Sequence, residues 1–407
     1  MKRDAGRLVF FFGAMVLAAV LLATCSPIPL ATALKDLSTP VQVWKYSHKL
    51  TATSDLVANA AFGYAVSISS DYAIVGAYGE ASNAGAAYIF ARSGTTWTKL
   101  KRITPSVPIA SSRFGAAVSI DGSNAIVGAY NSDIAYVFSK DQGGVNNWGQ
   151  AKAISGTAST LFGYAVGIKG LHAIVGAFNE TSGKGAAHLY FRDQGGANNW
   201  GLVADVLDGT GVAGDNLGYS VAISDNYAAA GAPNSTNGLA VVYQKITDTN
   251  WGNAVHVAAS DGAAGDQFGQ SIALTDTDLV AGAAVKQYAY AFARTGSSWG
   301  ETARLFLTPP SQVSDLFGSS VCIYGNYLAV GASGQDSSQG AVYGYDKTDG
   351  PWKASLNNPL YEPVRAANNR FGNQFSIYGT YLIIGSHGDS STAANAGAAY
   401  IFALGDY

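Results

Sequence analysis

The chain has 407 residues, a formal charge of −3 and only 13% charged residues, against about 25% in ordinary soluble domains. That balance supplies neither a basic patch nor a polyacidic tail, and it excludes nucleic acid as a partner. The 49 glycines and 11 prolines stay well below the roughly 25–30% of a low-complexity chain, while aromatic residues reach 12%, a composition suited to many short, closely packed strands.

The stretch 1–33 reads as an export signal: Lys2, Arg3 and Arg7 precede an apolar run from Leu8 to Ala23, with small residues beyond it. Two processing sites compete. Ala31-Thr32-Ala33 has the A-x-A form, and Leu22-Ala23-Thr24-Cys25 is similar to a bacterial lipoprotein box except at Thr24. The run is short of the about 20 residues that a spanning helix needs, which leaves a retained signal anchor as a further alternative. The protein is expected to be secreted or displayed on the cell surface, with membrane attachment only through that anchor or through lipidated Cys25.

From residue 34 to residue 407 the chain is expected to be one domain, because the stretch FGYAVSISSDYAIVGA at 62–77 returns in close copies. The copies start at Phe62, Phe114, Phe162, Leu217, Phe268, Phe317 and Phe371, at intervals of 48 to 55 residues. Each contains an apolar run that ends in small residues, from IVGA at 74–77 to IIGS at 383–386. In the first unit, alternation over Tyr64–Ser69, a turn at Ser70-Asp71 and the apolar run Tyr72–Ala77 predict a hairpin. Ala86–Arg92 predicts a third strand, and a fourth begins at Trp97. Four antiparallel strands in about fifty residues make a propeller blade.

The tryptophans test that register independently. Trp97, Trp148, Trp200, Trp251, Trp299 and Trp352 follow the Phe or Leu of their own unit by 31 to 38 residues, and the seventh unit ends without one. Trp44, 18 residues before Phe62, is therefore the displaced outer strand of the last blade: Val41–Thr51 should pair with Ala398–Ala403 and bring both termini into one sheet. The expected fold is all-β, a seven-bladed propeller of four-stranded antiparallel blades, closed by the strand around Trp44 joining blade seven. The repeated FG and GA letters are read as packing letters, with small residues where backbones crowd and a Phe filling the wedge between blades. Cys322, in the first strand of the sixth unit, is read as a small buried hydrophobe with no disulfide partner.

FGYAVSISSDYAIVGA, followed by GAAYIF at 85–90, resembles the FG-GAP repeat of integrin α-subunit propellers, and more closely the variant found in bacterial and protist surface proteins. The resemblance covers residues 44–402. It implies calcium in a D-x-D-x-D-G loop between the first two strands of several blades. The seven loops at that position, among them Ser69-Ser70-Asp71 and Thr275-Asp276-Thr277-Asp278, do not supply the 6–8 oxygen ligands calcium takes. Neither metal nor cofactor is expected, and Asp276 with Asp278 is the nearest approach. The acidic stretches DGTGVAGD at 208–215 and DGAAGD at 261–266 are read as polar turns linking blades, and the paired DQGGVNNWG at 141–149 and DQGGANNWG at 193–201 as outer hairpin turns.

No catalytic constellation is present in the sequence: the five histidines, His48, His172, His188, His256 and His387, fall at unrelated blade positions, and there is no nucleophile elbow or phosphate loop. The loops after GA and those before FG should emerge on one face, which the resemblance implies is used for partner binding. The residues directly after GA place Tyr78, Tyr130, Phe178 and His387 there, alongside Pro233, Ala284 and Ser333. These aromatics either form a stacking platform or merely cap the central channel. Glu80, Asp133, Glu180, Asp336 and Asp389 should make the same rim acidic, and the sequons at Asn179 and Asn234 would put glycans on it in a host that glycosylates. The leading expectation is an exported, non-catalytic propeller that binds a protein or glycan. The alternatives are a self-assembling subunit of an extracellular fibre or coat, and an enzyme.

Overall fold

The computed structural model describes residues 42–52, 57–252, 254–307, 312–348, 350–355 and 357–406. The expected export signal, Cys25 and both processing sites lie outside them. Of the two units into which the chain divides, the described part of the smaller is Gln42, Val43, Gly405 and Asp406, where the Gln42 amide donates to the Asp406 carboxylate at 2.5 Å. Residues 44–404 are the propeller.

Seven antiparallel sheets follow one another along the chain. The first consists of Phe62–Ser69, Tyr72–Ala77, Ala86–Ser93 and Thr96–Ile103, in that order from the axis outward. The innermost strands of the other six are Ala117–Asp121, Val166–Lys169, Ser220–Ile223, Phe268–Leu274, Phe317–Tyr324 and Phe375–Tyr378. In the fourth blade the outer strand is split into Asn250–Trp251 and Val255–Val257. In the seventh, the amino-terminal strand Gln42–Leu50 lies beside Ala398–Asp406.

Each FG pair forms the centre of a turn. The amide of the residue after it donates to the carbonyl of the residue before it, as in Tyr64 N to Ala61 O at 3.1 Å, and the same bond recurs in every blade down to Asn373 N to Arg370 O. The glycine is third in the turn, with φ between 84° and 92° in all seven copies, the left-handed region where only glycine is unstrained. The Phe beside it is fully buried and meets third-strand aromatics edge-on, for example Phe62 against Tyr88 at 5.4 Å and Phe114 against Tyr136 at 5.5 Å. In blade four, Leu217 does this with the aliphatic Val241 in the same core.

The second glycine interlocks neighbouring blades. A Cβ on the GA glycine of any of the first six blades would collide with the backbone carbonyl of the FG glycine of the next, as Gly76 would with Gly115; at the 7→1 seam, Gly385 meets Gly63 in the same way. Serines reinforce six of the seven seams. The amides of Ile68, Ile120 and Ile168 donate to the hydroxyls of Ser376, Ser67 and Ser119 of the preceding blade at 3.2–3.3 Å. Ser220, Ser271 and Ser320 donate to the carbonyls of Gly269, Gly318 and Gly372 of the following blade at 2.7–2.9 Å. At the 3→4 seam the first position is Gly167 and the second is Ala165, so neither kind of serine bond forms there.

At the outer rim, an outer-strand Trp packs T-shaped on the aromatic that opens the second strand of the preceding blade: Trp97 on Tyr381, Trp148 on Tyr72, Trp251 on His172 and Trp299 on Tyr227, at 5.2–5.9 Å. Trp44 does the same on Tyr327 of blade six at 5.7 Å, the contact that an outer-strand Trp of blade seven makes. Cys322 is a buried free thiol, and burial pushes its pKa up.

Candidate functional site

The seven FG turns stand around the axis and present two side chains each, one from the residue before the pair and one from the residue after it. The residue before is Ala61, Arg113, Leu161, Asn216, Gln267, Leu316 or Arg370, with φ of 53° to 61° in every blade. The residue after is Tyr64, Ala116, Tyr164, Tyr219, Gln270, Ser319 or Asn373. A third side chain, the one directly after GA, joins them. It packs on the turn of its own blade, as Tyr78 does on Tyr64 at 4.6 Å and Phe178 on Tyr164 at 4.6 Å. It also reaches the turn of the next blade, as Tyr130 does to Tyr164 at 5.3 Å, Phe178 to Tyr219 at 5.4 Å and His387 to Tyr64 at 5.2 Å.

The four residues singled out by sequence, Tyr78, Tyr130, Phe178 and His387, are thus brought into one arc. Four more that sequence reasoning passed over complete it. Tyr64, Tyr164 and Tyr219 supply the inner rings, and Arg113 bridges blades one and two, its guanidinium over both Tyr78 and Tyr130 at 5.5 and 5.6 Å while it donates to the Tyr130 hydroxyl. The signal was available: the letter after FG is Tyr in three repeats and small or polar in the other four.

Four residues of the arc, Tyr64, Tyr130, Tyr164 and Tyr219, line one wall of a cavity of about 310 Å³ at the mouth of the channel. The opposite wall, from blades five to seven, carries Gln270, Ser319, Ser333, Asn373 and Gln374 beside the apolar Ile272, Leu316 and Val321. The Gln270 Oε1 there has no hydrogen-bond partner among the described residues. A second cavity of about 490 Å³ lies between blades seven and one, lined by Asn59, Tyr78, Asn368, Arg370, His387 and Asn395. Arg370 belongs to both cavities. At the other end of the channel, Lys169 sits between Asp121 and Asp225 at 3.5 and 4.0 Å, and the Tyr324 and Tyr378 rings meet at 5.0 Å.

Burial sets the charge states at the mouth. It pushes the Tyr64 phenol up to about 12 and raises Tyr164 further, so both remain neutral hydrogen-bonding groups. Burial, with Arg370 nearby, holds the His387 imidazole down to about 4; its Nδ1 is buried without a partner among the described residues.

The acidic rim expected from sequence is not what the mouth presents, because those carboxylates are engaged by nearby cations, hydroxyls and backbone amides. Glu80 accepts from Arg102 at 2.8 Å and from the Tyr88 hydroxyl. Asp133 accepts from the amides of Ser159 and Phe162 at 2.8 and 3.1 Å. Glu180 pairs with His188 at 2.9 Å, Asp336 with Arg365 at 2.6 Å and Asp389 with Lys49 at 2.6 Å. Burial opposes ionisation of Asp389, but hydrogen bonds from Lys49, Ser391 and Tyr400 win and hold it far below the carboxylate range.

The remaining candidates have local roles. Asp276 accepts from Asn226, whereas Asp278 pairs with Lys347 of the next blade, so the two carboxylates do not converge. In the DGTGVAGD loop, Asp208 accepts from Thr210 and Asp215 from the Val212 amide. The duplicated loops at 141–149 and 193–201 clasp neighbours: the Asn147 and Asn199 carbonyls accept from Lys101 and Lys152 of the preceding blades at 3.0 and 2.9 Å. Asn179 and Asn234 are exposed, with amides bonded to Ser159 O and Asn216 Oδ1. Among the described residues, no group of three or more His, Cys, Asp or Glu is arranged to hold a metal ion.

Comparison with known proteins follows the repeat. The FG-GAP repeat family matches residues 44–90, 97–144, 251–296, 299–345 and 363–402, together more than half of the chain. No curated protein matches in sequence. Among solved structures, the WD40 repeats of RRP9 superpose with a TM-score of 0.60 at 12% identity, over 89% of this chain and 100% of that one. U3-55K gives 0.57 at 13% identity, over 90% and 100%, and virginiamycin B lyase from Staphylococcus aureus gives 0.57 at 10%, over 89% and 99%. At such identities the likeness is one of fold, and a fold shared by WD40 proteins and a lyase leaves function to the site.

Proposed function

Because the chain belongs to the FG-GAP repeat family, we propose that this seven-bladed propeller is an exported or cell-surface binding protein that captures a glycan or protein partner at its channel mouth, without catalysis. The observation that carries the reading is the two-sided cavity, with a tyrosine from each of blades one to four on one side and most of its amides and hydroxyls on blades five to seven. Aromatic faces receive apolar C–H surfaces at low entropic cost, and convergent polar groups fix orientation. A sugar ring has both kinds of surface, which favours a glycan for the recessed part of the site. Export is supported by the basic and apolar pattern of residues 1–23. The absence of chemistry is supported by carboxylates held in ion pairs and by histidines with structural partners: His188 lies between Glu180 and Asp205, and His172 against Asp248 O.

The test is capture of intact cells and of arrayed glycans by the purified chain, compared with a Tyr78→Ala, Tyr130→Ala, Phe178→Ala variant of unchanged circular dichroism. The variant is expected to lose capture. Undiminished capture would place the partner elsewhere on the molecule.

A further inference from the structure

The mouth of the channel carries two arginines and no carboxylate partner for either among the described residues. Arg370 and Arg113 hold the same position in their FG turns, immediately before Phe371 and Phe114, and stand on either side of blade one. Between them lie Tyr64, Tyr78 and His387. Arg113 is over the Tyr78 ring, and the Arg370 charge acts on His387. Arg370 is exposed, and its side chain makes neither a hydrogen bond nor an ion pair with any described residue. It is thus a cation left unpaired in a chain of net charge −3, between two cavities, while the acids of the same loops are bound up with Arg102, Lys49, Arg365 and His188.

From this we propose that the sector between Arg370 and Arg113 binds the anionic group of an acidic saccharide, a carboxylate or a sulfate, with the sugar ring against Tyr64 and Tyr78. The proposal rests on the mouth being the binding site, as argued above. A guanidinium presents a planar fork of donors that matches both anions.

The probes are oligosaccharides in matched pairs, a hexuronate trisaccharide with its methyl ester and a sulfated trisaccharide with its desulfated form, titrated calorimetrically into the mature chain. The two pairs separate carboxylate from sulfate. Two variants keep the turn intact by using residues that other blades already carry there: Arg370→Ala, as at Ala61, and Arg113→Gln, as at Gln267. The acidic member of a pair is expected to bind about tenfold or more tightly than its neutral counterpart, with a preference that shrinks as salt rises. Arg370→Ala should erase most of that preference, weakening binding of the acidic member far more than that of its neutral counterpart. Equal binding within both pairs, or a preference that survives both substitutions, overturns the acidic ligand and leaves the mouth standing. If no sugar binds while the aromatic triple variant still loses capture of cells, the ligand class is wrong and the mouth is right; if that variant is also silent, both readings fall.

Discussion

Replacing Gly385 by alanine tests the interlock that closes the ring. A Cβ at Gly385 would lie 1.9 Å from the Gly63 carbonyl oxygen and 3.0 Å from its carbon. Non-bonded heavy atoms settle near 3.5 Å, so blade seven must retreat from blade one by roughly 1.5 Å at the axis. Neither partner is a side chain that can rotate away. Overpacking of this kind costs about 1–3 kcal/mol. At about 2.1 cal/mol/K of unfolding entropy per residue, a propeller of this length should lose about 1–4 °C in melting temperature. The control is Gly300→Ala on the outer strand of blade five, where an added methyl meets nothing within 4 Å. Scanning calorimetry of the two variants beside the parent protein decides the matter. If Gly385→Ala melts together with Gly300→Ala, the glycines are not interlocks and the explanation of the repeated letters fails.

Three further outcomes follow from the packing. Trp44→Ala removes a side chain only 3% exposed from the blade seven sheet and should cost about 3–5 kcal/mol in urea unfolding, whereas a free amino-terminal strand would cost almost nothing. Gly167→Ser would supply the missing seam hydroxyl opposite the Ile223 amide, 3.9 Å from the new Cβ, and should raise the urea midpoint by the equivalent of about 1 kcal/mol; a lower midpoint would mean that the Ile174 and Ile223 methyls at 3.0 and 3.2 Å do not give way. His387 is depressed in the fold to about 4 from 6.5, so its contribution is present above pH 6.5 and is lost as pH falls through 4. His387→Phe should therefore flatten the decline in stability over that window by up to about 3 kcal/mol, with an unchanged slope as the contrary result.

The blade count, the strands and the role of Trp44 were legible because packing at the axis repeats: every blade meets its neighbour through the same FG and GA atoms, and the residue types recur with them. Strand ends differed by at most three residues, with Phe62–Ser69 observed for Tyr64–Ser69 and Ala398–Asp406 for Ala398–Ala403. The site was half legible. Residues after GA were found because they break a repeat, but Tyr64, Tyr164 and Tyr219 sit inside letters that looked like scaffold. Their convergence depends on the left-handed turn residue before each Phe, and an arginine, a leucine or an alanine at that place carries no local sign of such a φ. The rim was misread as acidic because proximity in sequence to GA does not say where a carboxylate points. Glu80 and Asp389 turn toward Arg102 and Lys49, partners from outer strands remote in sequence.

Hydrogen–deuterium exchange of the purified chain, free and saturated with a saccharide or protein that it captures, addresses the central claim most directly. Protection is expected at the seven FG turns and the loops after GA, strongest over residues 61–66, 113–118 and 370–375. Protection confined to the outer strands, or to the turns at the Lys169 end of the channel, would contradict the assignment of the mouth as the binding site.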